Sequence, residues 1–206
     1  MTATPAGPVF SELGVTELAQ RLPQPSTEVP VLVAVNGRSS SGKTSLSARL
    51  AAALTRAAVV HTDDLAWHHA VLAWDDLLVD GVLTPVRAGR AVHFRPPAWE
   101  ARGRSGAVEV PTGSTHLLVE GVGVGRAGLH AQFDVRLWVE TPRPLRQARD
   151  EVRLAAGEMS ADSYAGWMAA EDAHFAADRP WERADVVVDG SAGGGTDRVR
   201  VAFRPT

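Results

Sequence analysis

The residues whose types and spacing can do chemistry start at Gly37. Gly37-Arg38-Ser39-Ser40-Ser41-Gly42-Lys43-Thr44 fits the pattern G-x-x-x-x-G-K-[ST]. Glycines let a backbone wrap around a phosphate so that successive N–H groups point inward. A helix starting at the end of such a loop adds partial positive charge. Lys43 brings a compact ammonium to the terminal phosphates of a nucleotide, and the Thr44 hydroxyl can bind Mg²⁺. Gly37, Arg38, Ser39, Ser40, Ser41, Gly42, Lys43, Thr44 and Ser45 are therefore the candidate residues for ATP. Lys43 is the only lysine among 21 basic residues. An arginine fork cannot replace a flexible point charge at such a site, so the one lysine stands where this chemistry needs it.

Further chemistry-bearing residues follow. Asp63 and Asp64 come directly after an apolar run, Ala57-Ala58-Val59-Val60-His61. A hydroxyl that accepts a phosphoryl group needs a carboxylate to orient it and take its proton. Asp64 also suits a helix cap or a ligand to Mg²⁺-bound water. Glu120 ends another apolar run, Leu117-Leu118-Val119, and can hold Mg²⁺-bound water or touch a substrate. Arg146, Arg149 and Arg153 are spaced three and four apart, which puts them on one face of a helix. Such a face can close over ATP and offset charge developing on the transferred group. Glu171, His174 and Trp167 also have helical spacing and are read as structural.

These residues need elements to position them. Val31-Leu32-Val33-Ala34-Val35 is a short continuous apolar run, as expected of a buried parallel strand just before the loop. Leu46, Leu50 and Leu54 recur every four residues, an amphipathic helix just after it. Further strands are expected at 57–61, 117–119, 135–139 and 186–188, and helices at 143–157 and 161–177. Alternating strands and helices imply a doubly wound, mostly parallel sheet of five strands flanked by helices. In such sheets ligands bind at the carboxyl ends of the strands, where Asp63 and Glu120 fall. We expect residues 1–29 to be a lead-in with a short helix capped by Thr16, and 30–190 to be the catalytic domain. Within it, 81–115 reads as a loop excursion or small ribbon on the acceptor side and 143–177 as a lid and late helices. Residues 191–206, with Gly193, Gly194 and Gly195, read as a loose tail.

Composition excludes other classes. The chain has 206 residues, 45% apolar and 22% charged, enough to build a core. A net charge of −3 argues against a general nucleic-acid binder. There is no cysteine, which removes disulfides, thiol catalysis and cysteine metal sites. No apolar run has the length of a membrane span. The first ten residues lack the features of a signal peptide, and the expected location is the cytoplasm. A regulatory GTPase would need an Asn-Lys-x-Asp motif, which the single lysine rules out.

Taken together, these residues resemble the uridine kinase and phosphoribulokinase group of P-loop kinases. The likeness rests on Val35-Asn36-Gly37 through Thr44, on His61-Thr62-Asp63-Asp64, on Val119-Glu120-Gly121 and on Arg149-Asp150. Pro97-Ala98-Trp99-Glu100 stands where the group often has Pro-x-Tyr-Asp. The resemblance implies a kinase that uses ATP and Mg²⁺, with Lys43, Asp63 and Arg149 as catalytic residues and Asp63 as the base. It implies Thr44, Glu120 and Asp64 on the metal side. The acceptor would be a small molecule, a nucleoside first, met by Asp63, Trp67, His68, Arg95, Trp99 and Glu120. The adenine would border Asp189-Gly190-Ser191. Leu65-Ala66 stands where uridine kinases have Phe-Tyr, which leaves the acceptor's identity open. A nucleoside antibiotic or another small alcohol is the alternative acceptor, and a nucleotide-binding regulatory ATPase the alternative class. A nucleotide acceptor would draw on Arg87, Arg90, Arg95, Arg102 and Arg104. A homo-oligomer remains open.

Overall fold

What covers the apolar runs explains why they become strands. In the computed structural model, which describes residues 9–25, 29–158, 160–191 and 197–204, the run Val31–Gly37 is buried along its whole length. Val31, Val33 and Val35 face one core, and Leu32 and Ala34 face the other. A strand covered on both faces needs apolar residues at every position, so its sequence shows no alternation.

The elements run β1 (Ser11–Gly14), α1 (Val15–Arg21), β2 (Val31–Gly37), α2 (Lys43–Ala53), β3 (Ala57–His61), α3 (Thr62–Ala66) and α4 (Asp75–Leu78). A π-helical turn, Val79–Leu83, joins α4 to α5 (Thr84–Arg87). Then come β4 (Val92–Phe94), α6 (Pro97–Ala101), β5 (Val108–Val110), β6 (His116–Glu120), β7 (Val135–Glu140), α7 (Arg143–Ala155), α8 (Ala161–Asp178), β8 (Val186–Asp189) and β9 (Arg198–Phe203).

The main sheet has the order β1-β9-β8-β7-β2-β6-β3. The five strands β8, β7, β2, β6 and β3 are parallel to one another, as expected. The sheet is two strands wider than expected. β9 pairs antiparallel with β8, and β1 antiparallel with β9. β9 lies within the stretch read as a tail. Its Arg198-Val199-Arg200-Val201 alternates exposed and buried, the pattern of a strand at a half-solvated margin. β1, only four residues long, gives no such pattern to read. The short helix expected in the lead-in is α1, but Gly14 occupies its N-cap and Thr16 lies inside it. In the 81–115 stretch, β4 and β5 form the small ribbon. Gly193, Gly194 and Gly195, and the first eight residues, lie outside the described residues.

β2 leads on to β3 on one side of the sheet and its neighbour β7 to β8 on the other, so a crevice opens at their carboxyl ends. The register is specific there. Glu120 of β6 lies level with Val35 of β2 and His61 of β3, and Gly37 of β2 lies level with Val139 of β7. The turns leaving these strands are packed against one another. A side chain on Gly121 would overlap the Thr62 hydroxyl oxygen, and one on Gly190 would overlap the Thr141 hydroxyl and the Ser41 carbonyl. Overpacking of this kind costs about 1–3 kcal/mol. Gly121→Ala should therefore lower the melting temperature by several degrees in thermal denaturation, whereas Gly128→Ala, which meets nothing within 4 Å, should leave it nearly unchanged.

Candidate functional site

The loop between β2 and α2 turns on Gly42, the N-cap of α2, whose φ of 98° suits glycine and few other residues. Lys43 is the first residue of α2, and its Nζ donates to the Arg38 carbonyl at 2.8 Å, so the ammonium folds back across the loop. Burial pulls the Lys43 pKa below its ordinary value, while the charges of Glu120, Asp63 and Glu171 oppose that shift. A cleft of about 850 Å³ opens here, lined by Ser39, Ser40, Gly42, Lys43, Thr44 and Ser45. Gly37, Arg38 and Ser41, also expected to meet nucleotide, form the loop without lining the cleft.

Glu120 is the electrostatic centre. Its Oε1 accepts from the Thr44 hydroxyl at 2.8 Å and lies 2.6 Å from His61 Nδ1, the neighbour that the β3–β6 register provides. Burial alone would raise the Glu120 pKa, but the hydrogen bond to His61, the Lys43 charge and the Thr44 hydrogen bond hold it below the usual value. The same hydrogen bond raises the His61 pKa against the effect of its burial. A hydroxyl beside a carboxylate is a hard-oxygen donor pair that suits Mg²⁺, which keeps several waters and takes its remaining ligands from phosphates. Among the described residues no group of three or more His, Asp or Glu could hold a metal on its own.

Asp63, at the start of α3, lines the cleft with Ala66. Its side chain is open to the cleft's solvent, yet its position deep in the crevice raises its pKa by desolvation; Lys43 opposes the shift and Glu120 adds to it. Asp64 turns elsewhere. Its carboxylate accepts from Arg104 Nη2 at 2.6 Å, and it does not line the cleft beside Thr44 and Glu120. The acceptor-side aromatics follow Asp64. The Arg104 guanidinium lies over the Trp99 ring at 3.6 Å and the Trp67 ring at 5.1 Å, and Trp99 Nε1 donates to the Asp64 carbonyl at 2.9 Å. His68 packs edge-on against Trp67. Arg95 donates to the Arg104 and Gly106 carbonyls and so shapes that loop. Of the six residues expected around the acceptor, the structure brings Asp63 and Glu120 to the cleft and gathers Trp67, His68, Arg95 and Trp99 around Arg104.

The three arginines of α7 separate. Arg149 donates to the Ser40 and Gly190 carbonyls, both at 2.9 Å, and joins the loop to the turn after β8. Arg153 lines the cleft and pairs with Glu158 in solvent. Arg146 is buried, with Nε on the Thr141 carbonyl at 3.2 Å and Nη1 3.9 Å from Glu171. Its neighbour in space, Asp150, accepts from the Ser40 hydroxyl and from Tyr164.

Sequence reasoning passed over Asp150, Tyr164, Trp167 and Glu171 as parts of this site. Trp167 Nε1 donates to Ser39 Oγ at 2.6 Å, and Glu171 Oε2 accepts from the Ser39 N–H at 2.7 Å. Their four-residue spacing on a predicted helix was the available signal; nothing in it says that the shared face meets the loop.

No protein-family model matches the chain, and no curated protein matches it. Solved structures do. A protein from Bacillus stearothermophilus described as a possible uridine kinase matches over 84% of this chain and 96% of its own, with a TM-score of 0.58 at 19% identity. A protein from Silicibacter sp. TM1040 with the provisional name fructose transport system kinase matches over 84% of this chain and 95% of its own, with a TM-score of 0.57 at 26% identity. The chain thus has the α/β fold of P-loop kinases, the architecture that its motifs imply.

Proposed function

We propose that this protein is an ATP-dependent phosphotransferase that moves the γ-phosphoryl group of ATP to a hydroxyl of a small molecule. One observation carries the reading: Lys43, Thr44, Glu120 and Asp63 line a single cleft at the carboxyl edge of a parallel sheet. Its volume of about 850 Å³ lies within the usual range for small-molecule sites.

Direct transfer between two oxygens asks mainly for positioning and charge stabilisation. Lys43 and the loop N–H groups meet the phosphates. Thr44 and Glu120 fit Mg²⁺, which would neutralise charge on the phosphate oxygens. Asp63 orients the acceptor hydroxyl and takes its proton, and its raised pKa makes it a better base than an ordinary aspartate. Arg149, fixed between the loop and Gly190, adds positive charge above the loop. His61 keeps Glu120 in place and ionised.

A nucleoside is the first acceptor class to test, because the resemblance implies it. Trp67 and Trp99, two of the residues expected to meet the acceptor, stack on Arg104, so the panel must include small alcohols without a base. ADP release from ATP–Mg²⁺ with such a panel, followed by mass spectrometry of the products, tests the reading. A phosphorylated acceptor supports it; ADP formation that ignores every acceptor favours a regulatory ATPase.

Lys43→Ala should lower kcat by about 100-fold or more. Asp63→Asn should bind ATP normally and lose turnover by a similar factor of about 100. In the wild type, kcat should fall as pH drops through the raised Asp63 pKa, a limb absent from the residual activity of Asp63→Asn. The His61–Glu120 pair makes a separate prediction. A histidine with a raised folded pKa stabilises the fold below its unfolded value, and this contribution is lost as pH rises through the folded pKa. The melting temperatures of wild type and His61→Gln should therefore converge as pH rises above 6.5.

A further inference from the structure

The phosphate loop is gripped from outside the cleft as well as within it. Trp167 and Glu171 lie one turn apart on α8 and meet the same loop residue. Trp167 donates to the Ser39 hydroxyl, and Glu171 accepts from the Ser39 backbone N–H. The other Glu171 oxygen accepts from Arg38 Nη1 at 3.3 Å. Arg38 is held in turn by Asp172 at 2.5 Å and lies over the Phe175 ring at 4.9 Å. On the far side, Arg146 approaches Glu171 to 3.9 Å.

Glu171 is fully buried and does not line the cleft, and neither does Arg38. The carboxylate therefore reaches the loop from behind and does not compete with a phosphate arriving through the cleft. Taking a carboxylate out of water is costly, and a buried ion pair often stabilises no better than an apolar group of the same shape. What an apolar group could not do here is hold the Ser39 N–H and Arg38 in fixed directions.

We propose that Glu171 is a positioning residue for nucleotide binding. By fixing Ser39 and Arg38 it sets the path of the loop from Ser40 to Thr44, and it ties α8 to the nucleotide site. The proposal rests on the reading that this loop binds ATP, and the test separates the two. ATP–Mg²⁺ binding is measured by calorimetry on the wild type, Glu171→Gln, Glu171→Asp, Trp167→Phe and Asp162→Asn, alongside KM and kcat.

Glu171→Gln should weaken ATP binding about tenfold and raise KM for ATP in step, by analogy with other supporting residues. KM for the acceptor should not change, and the protein should stay folded by circular dichroism. Trp167→Phe, which keeps an aromatic ring but removes the N–H donor, should weaken ATP about fivefold, the worth of one hydrogen bond. Asp162→Asn, at an exposed carboxylate in the first turn of α8, should bind ATP like the wild type. If Glu171→Gln is folded and binds ATP as the wild type does, the proposal is overturned. If Glu171→Gln does not fold, Glu171→Asp, which keeps the charge but draws the carboxylate back from the Ser39 N–H, decides in the same way. A wild type that binds no ATP overturns the functional reading and this proposal with it.

Discussion

Lys43 holds an ammonium largely out of water, and much of the site follows from what that requires. Desolvation works against the charge, and three carboxylates work for it. They come from three separate elements: Glu120 from β6, Asp63 from α3 and Glu171 from α8. Two of them then acquire basic partners of their own. Glu120 takes His61, and Glu171 takes Arg38 with Arg146 nearby. Basic groups thus lie on both sides of Glu120 and of Glu171, with Lys43 common to the two. An arrangement of this sort is fixed before any ligand arrives, which is what electrostatic stabilisation of a transferring group needs.

The sheet makes that arrangement possible. Parallel strands deliver their carboxyl ends to one edge, and the register there pairs His61 with Glu120 across β3 and β6. Glycines at the strand exits let neighbouring turns touch: Gly121 lies against Thr62, and Gly190 against Thr141 and Ser41. Arg149 then bridges two of these exits, the loop after β2 and the turn after β8. The groups of the site are thus held mostly by backbone that the fold itself fixes, with long side chains used as ties between turns.

The parts legible in the sequence were those with a local cause. The loop pattern, the five central strands and the helices α7 and α8 each follow from adjacent residues. β1 and β9 did not: neither has a continuous apolar run, and β1 gains its partner, β9, from the other end of the chain. Asp63 and Glu120 could be placed at the ligand edge because strand ends imply it. Asp64 could not be told from Asp63 by position in sequence; a partner forty residues away, Arg104, draws it aside. Arg146, Arg149 and Arg153 shared a helical face on paper. A helix pressed into a junction gives each of them a different depth, and depth is set by what the other helix brings. For the same reason Glu171 read as an ordinary helix residue.

The single lysine has a consequence for how the molecule can be observed. Every other side-chain cation is a guanidinium or an imidazole, so Lys43 carries the only ε-amine in the chain. A lysine-selective isotope label would give one side-chain resonance, free of overlap, from the heart of the phosphate loop. An amine-directed reagent would meet one side chain, and its access would report how far the cleft is filled. The protein therefore contains its own single-site probe, placed by its sequence at the point where a ligand would be felt first.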